Sequence, residues 1–238
     1  MIVSAHQPSY FPWLGLLDKI AKSDLYILLD EVQLADRAYQ HRNIFSNTEQ
    51  QIKYLTVPIL KKGYRSKSIK ELKTSGSQWQ KKHRSFLILN YNKAPYFEQI
   101  YGQIEAIFRK KYVYLIDVLL DSMAASFELF KIETPIELQS VIPHDKTARK
   151  TSLILSLVQS MQASVYLSGT GARAYLSLRD FKKRNIEVKF NDFKSFSYPQ
   201  HHFRQGNFHE GLSCLDMLFN LGIENSRKLF WHNAGIRN

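Results

Sequence analysis

A run of 33 residues at the start of the chain, MIVSAHQPSYFPWLGLLDKIAKSDLYILLDEVQ, leaves few ways to fold. Residues 2–5 are a short apolar run that stops at His6, Gln7 and Pro8. Pro8 and Pro12 have no N–H to give to a sheet ladder, so a strand must end there in a turn. Pro12 suits the first turn of a helix, where its missing donor costs nothing. From Trp13 the apolar residues Trp13, Leu16, Leu17, Ile20 and Ala21 recur at helical spacing. Asp18, Lys19 and Lys22 fall on the other side and are expected to face away from the core. Residues 25–29 form a second apolar run, too short for a helix, ending at Asp30. Strand, helix and strand so close together predict a parallel, right-handed crossover.

That geometry has a chemical consequence. His6 and Gln7 leave the carboxyl end of the first strand and Asp30 that of the second, and ligands of open α/β sheets bind along this edge. His6 is the candidate general base, with Asp30 expected to fix its tautomer. Tyr10 is a candidate for a ligand wall, and Trp13 is expected in the core.

Further along, residues 34–51 read as polar and irregular and residues 52–60 as a strand frayed by Pro58. Residues 61–76 are a long basic connection, the kind that is a functional lid or a disordered segment. Helical spacing returns over 79–91, 96–112 and 114–130, and the stripe Phe97, Ile100, Tyr101, Ile104 and Phe108 reads as core. A strand is expected over 136–142, and Asp145 is expected to cap a helix over 146–162. Residues 165–167 are a short strand, 172–176 a helical turn, 180–185 a helix and 186–190 a last strand. Residues 191–210 are irregular, and 212–221 an amphipathic helix. The alternation predicts an α/β fold, a mostly parallel sheet flanked by helices. We read residues 1–238 as a single α/β domain, with 77–131 as a helical insertion, subdomain or cap within it.

Composition narrows the setting. A hydrophobic content of 44% supports a full core, and no apolar run approaches the roughly 20 residues of a membrane span. The start of the chain lacks the features of a secretion signal, and one cysteine, Cys214, excludes an internal disulfide framework. A cytoplasmic location is therefore expected. The net charge of +12 is uneven, with nine basic residues and one acid, Glu71, between Lys61 and Arg84. Such a run is either a solvated surface or an attractor for phosphates, whether of a nucleotide sugar, a membrane or tRNA.

Ser168, Gly169, Thr170 and Gly171 follow a strand and precede a helical turn, so their backbone N–H groups could cradle an anion. Arg173 could add a phosphate fork. The alternative is a tight turn needing positive φ. The pattern is neither the Walker sequence nor the dinucleotide fingerprint, and the sequence names no cofactor. His201, His202 and His209 fit no strong metal template, and no metal is assigned. Cys214, on an apolar helix, reads as packing.

The residues His6-Gln7-Pro8, Tyr10 and Pro12-Trp13-Leu14-Gly15, with Asp30 and Gln33, resemble the opening of the WbqC-like family. Other pieces match in order: Arg42-Asn43, Leu55-Thr56-Val57-Pro58, Tyr166-Leu167-Ser168-Gly169 with Gly171 and Tyr175, and Leu212-Ser213 with Asp216, Phe219-Asn220 and Gly222. The resemblance spans nearly the whole chain. It implies a bacterial protein of O-antigen or surface-polysaccharide gene clusters, with aminoacyl (glycyl) transfer to an amino sugar as the suggested activity. It also supports Gln33, Arg42 and Asn43 as substrate-binding residues. Two other classes stay open: a non-catalytic binder of a polyanion such as tRNA, through residues 61–84, and a nucleotidyl transferase. The second lacks the paired His-x-Gly-His of that chemistry.

Overall fold

A computed structural model describes residues 1–35, 39–203 and 207–236. Its centre is a five-stranded sheet, parallel throughout. The strands are β1 (Ile2–His6), β2 (Leu25–Leu28), β5 (Ile136–Leu138), β6 (Val165–Gly169) and β7 (Glu187–Asn191), in the spatial order β5-β2-β1-β6-β7. β1 pairs with β2 in the register Val3 to Leu25 through His6 to Leu28, and with β6 from Ile2 to Val165. The parallel crossover expected of the N-terminal run is therefore present, through helix α1 (Leu14–Ala21).

Alternation of side chains divides the core between the two faces of this sheet. Val3, Ala5, Ile27 and Leu29 pack with Leu153, Leu157 and Val158 of α5 (Lys150–Ser160) and with Phe181 of α6 (Leu178–Lys182). On the other face Tyr26 and Leu28 pack under α1 and join a much larger apolar cluster. That cluster takes in α2 (Gln78–Tyr91), α3 (Phe97–Ile104), α4 (Leu115–Phe130) and α7 (Cys214–Ala234). The stripe Phe97, Ile100, Tyr101, Ile104 and Phe108 is buried in it. Side chains of this size stabilise by roughly 1.5–3 kcal/mol each when removed from water.

Several boundaries differ from the sequence reading, each for a local reason. Residues 34–51, expected to be irregular, contain β3 (Arg42–Ser46), which pairs antiparallel with β4 (Ile52–Thr56) as a separate ribbon. Its polar residues Asn43 and Ser46 are buried and bonded, so no alternation marks the strand. Residues 36–38 of that stretch lie outside the described residues. β5 ends at Leu138, and α5 starts only at Lys150. Asp145 accepts from the N–H and hydroxyl of Thr147 and so closes a local turn instead of capping the helix.

The basic connection is ordered. Two 3-10 turns, Tyr64–Ser66 and Ile69–Glu71, punctuate it, and Ile69 and Leu72 anchor it in the core. The C-terminal helix is buried on all sides from Cys214 to Asn220, not amphipathic, and continues past a kink at Gly222. There φ is +73°, and a Cβ would lie 2.6 Å from the Tyr96 ring, so only glycine fits. Among the described residues no helix is long and apolar enough to cross a membrane.

Candidate functional site

Strand order locates the site. β1 hands the chain leftward to β2, whereas β6 hands it rightward to β7, so the two connections part between β1 and β6. In doubly wound sheets the crevice at that parting, beyond the carboxyl ends of the strands, is where ligands bind. A cavity of about 140 Å³ lies there, lined by His6, Trp13, Gly15, Leu16, Lys19, Gly169, Thr170, Asn191, Asp192 and Phe193.

His6 stands at its rim with an open face to solvent. Nδ1 lies 2.9 Å from the Gln7 carbonyl oxygen, which can only accept, so Nδ1 carries the proton and Nε2 keeps its lone pair. Tyr26 donates its hydroxyl to the carbonyls of His6 and Gln7 and so fixes this peptide. Desolvation by the protein covering the inner side of the ring, and then the nearby Lys19 ammonium, lower the imidazole pKa to about 4 although its outer face is open. Lys19 is itself buried, donates to the Ala5 carbonyl at 3.1 Å, and burial lowers its pKa to about 8. The site therefore presents a neutral base beside a buried ammonium.

Asp18 and Lys19 were expected to face solvent, but both are buried. Helix α1 is covered by the sheet, by α7 and by the end of β7, where Asn191 donates to the Asp18 carboxylate at 2.8 Å. Lys22 pairs with the same carboxylate at 2.8 Å. Trp13, expected in the core, is 39% exposed. Its indole folds back over Gly15, where a Cβ would meet the ring at 2.2 Å, and meets Phe193 edge-on to form a cavity wall.

The His6–Asp30 pair is not formed. Asp30 is buried, accepts the Ser140 N–H at 2.9 Å, and does not line the His6 cavity. The Gln7 carbonyl does the orienting expected of it. Tyr10 is fully buried with its hydroxyl on His83 Nδ1, so it belongs to the core and not to a ligand wall. Asn43 is also buried, and its amide donates to the carbonyls of Tyr10 (3.2 Å) and Phe11 (2.6 Å). Phe11 has φ of +40°, and Ser213 Oγ also donates to its carbonyl. Asn43 and Ser213 thus hold a strained turn, while Cys214 N–H is bonded to the Pro12 carbonyl. Burial pushes the Cys214 thiol up to about 12.

Gly169 and Thr170 border the His6 cavity. Neither Gly169 nor Gly171 has positive φ, and a Cβ on either would meet open space. The tight-turn alternative does not apply, and the two glycines leave the backbone open to approach. Ser168 is buried beneath them. Arg173 stacks on the Phe190 ring at 4.2 Å and is not among the cavity residues. Arg42 lies over the Tyr54 ring at 4.4 Å. Gln33 lines a second, larger cleft beyond β2 and β5, where its amide donates to the Arg65 carbonyl.

His201 and His202 share the Asn90 carbonyl through their Nε2 atoms, while His209 bonds elsewhere. His201 also bonds Asn220, His202 bonds Ser46 Oγ at 2.7 Å, and His209 bonds the Glu210 carbonyl. Among the described residues no group of three His, Cys, Asp or Glu could hold a metal ion. Ser46 belongs to a buried network centred on Asp216, which accepts from Tyr91 (2.8 Å), Tyr198 (2.9 Å) and Gln200 (3.2 Å).

Sequence reasoning missed Lys19, Asn191, Asp192 and Phe193. The last three sit at the end of β7, and the rule that singled out His6 would have found them had it been applied to that strand.

The chain is similar along its length to a protein described as "Uncharacterized protein Rv1507c" from Mycobacterium tuberculosis (strain ATCC 25618 / H37Rv). The two are 31% identical over 224 residues, covering 93% of this chain and 94% of the relative. No solved structure matches. The sequence model of the WbqC-like protein family matches residues 7–228, which include every residue lining the His6 cavity except His6 itself. The chain belongs to the WbqC-like protein family.

Proposed function

We propose that the protein is a transferase of surface-polysaccharide biosynthesis that moves an aminoacyl group, glycyl in the simplest case, onto an amino sugar carried by a nucleotide. The observation that carries this reading is His6: a neutral imidazole with a bare Nε2, at the parting of β1 and β6, beside the buried ammonium of Lys19. In the reaction the sugar amine attacks the carbonyl of an activated ester. The new C–N bond forms, the ester C–O bond breaks, and His6 Nε2 takes the proton leaving nitrogen and returns it to the departing alcohol. Lys19 offers positive charge to the oxyanion of the tetrahedral intermediate. The open backbone at Gly169 and Thr170 lets the substrate approach closely.

The two pKa values give a profile. His6 must be unprotonated, so turnover rises with pH through about 4. Lys19 must be protonated, so it falls above about 8. The test is to incubate the protein with a UDP-linked amino sugar and glycyl-tRNA and to follow the glycyl adduct by mass spectrometry. His6→Ala should abolish the adduct while leaving the thermal melt unchanged. Full transfer by that variant would overturn the role of His6, and no adduct from the unaltered protein would favour a binding protein instead.

A further inference from the structure

A second cleft, of about 780 Å³, lies apart from the His6 cavity, at the carboxyl ends of β2 and β5. Ligand pockets for small molecules fall in the same range, roughly 300–1,000 Å³. Three chain segments wall it: the residues after β2, the basic 3-10 turns, and the turn between β5 and the first residues of α5. They bring together Lys67, Lys70, Lys146, Arg149 and Lys150, five cations against the two carboxylates of Glu31 and Glu71.

Both carboxylates are already engaged. Glu31 is clamped between Lys70 and Lys146, each at 2.6 Å, and these lysines hold its carboxyl below the usual range. Glu71 accepts from the Ser68 N–H and hydroxyl. The clamp ties together walls that come from opposite sides of the cleft, since Lys70 lies on the 3-10 turn and Lys146 after β5. Among the described residues neither Lys67 nor Lys150 is in an ion pair within 4 Å, although Lys67 lies within electrostatic reach of Glu71. Lys150 also adopts φ of +51°, a conformation uncommon outside glycine.

The floor holds a second clue. His144 Nδ1 bonds the Ile142 carbonyl, and its Nε2 lies 3.4 Å from the amide nitrogen of the buried Gln139 and 3.8 Å from the Glu31 carboxylate. That leaves Gln139 Oε1 as an enclosed acceptor without a donor among the described residues. A cleft with surplus positive charge and an acceptor awaiting a donor matches an anion that also carries hydroxyl or amino groups. Val32 and Leu153 supply a short apolar strip beside them.

We infer that this cleft binds a small diphosphate ligand of nucleotide size, its phosphates facing Lys67, Arg149 and Lys150 and a hydroxyl or amine reaching Gln139. The site is independent of the chemistry assigned to His6.

Calorimetric titration with UDP, uridine and inorganic pyrophosphate at low salt tests it. UDP binds and uridine does not, and UDP binds more tightly than pyrophosphate because the nucleoside adds contacts. In Lys67→Gln/Lys150→Gln affinity for UDP drops by about tenfold or more, since each charge-assisted contact to a phosphate is a strong one, whereas His6→Ala binds UDP as the unaltered protein does. Should the double variant fold poorly, Gln139→Leu offers an independent check, because it weakens UDP and spares pyrophosphate. The inference is overturned if neither UDP nor pyrophosphate binds, if binding is the same in both lysine and glutamine variants, or if His6→Ala removes it. Binding of tRNA alone, without UDP, would also overturn it.

Discussion

Asn43 shows how a polar residue can be essential without meeting a substrate. Its amide group donates to two consecutive carbonyls, Tyr10 and Phe11, while its side-chain oxygen accepts the Ile44 N–H. Every polar atom of the side chain is used inside the protein. Asn43→Ala should cost about 1–3 kcal/mol, the penalty for leaving buried carbonyls unsatisfied. Asn43→Asp should cost more, because a carboxylate presents only acceptors to the same two carbonyls. Chemical denaturation of the three proteins checks the order; equal stability of Asn43→Asp and the unaltered protein would contradict it. His6 and Gly169 were legible from the sequence because a strand end is readable from its apolar run and the edge rule does the rest. Asn43 and Tyr10 were not placed correctly, because a short motif says which residues matter and is silent on which way they point. Asp30 was misplaced for a related reason: the chain after β2 opens into a different cleft from that of His6, and Asp30 itself lines neither, its carboxylate accepting the Ser140 N–H.

At the scale of elements, α1 carries the main lesson. A helical wheel assumes one buried face, yet this helix is enclosed on several sides, and so Asp18 and Lys19 are interior. No local pattern announces that a third layer will cover a helix; only the arrival of α7 and β7 from the far end of the chain does. The strand–helix–strand order was readable, and the short strand β3 was not, because both its faces are covered and its polar residues are bonded within. The start of α1 allows a direct test. Gly15 accommodates the Trp13 ring, so Gly15→Ala should displace the indole and destabilise the protein by about 1–3 kcal/mol, the usual effect of overpacking. Trp79 and Trp231 are buried whereas Trp13 is exposed, so the change should appear as a shift in tryptophan fluorescence that Trp13→Phe abolishes. An unchanged spectrum and melt in Gly15→Ala would argue against the contact.

For the whole molecule, protonation sets an acid limit. Burial lowers the pKa of His83 to about 4, and the ring is 4% exposed, with Tyr10 donating to it. The unfolded chain takes up this proton near 6.5 and the folded chain does not, so stability is present above 6.5 and falls as pH drops from 6.5 to about 4. The slope from one such group is at most about 1.4 kcal/mol per pH unit. His41 and His202 act in the same direction. Asp216 acts oppositely, since burial raises its carboxyl, so the difference between the unaltered protein and His83→Gln isolates the imidazole. Melting temperatures at pH 7 and pH 5 should fall less for the variant; an equal fall would remove His83 from the account. The strand order carries one more consequence, for the ribosome. β1 lies between β2 and β6, and its partner β6 starts at Val165, 163 residues after Ile2. At roughly 5–20 residues per second, that edge of β1 waits about 8–30 s after its own synthesis before a partner exists. During that interval the nascent chain carries an unpaired apolar strand edge, the state in which a newly made protein is most open to capture by chaperones or by its neighbours.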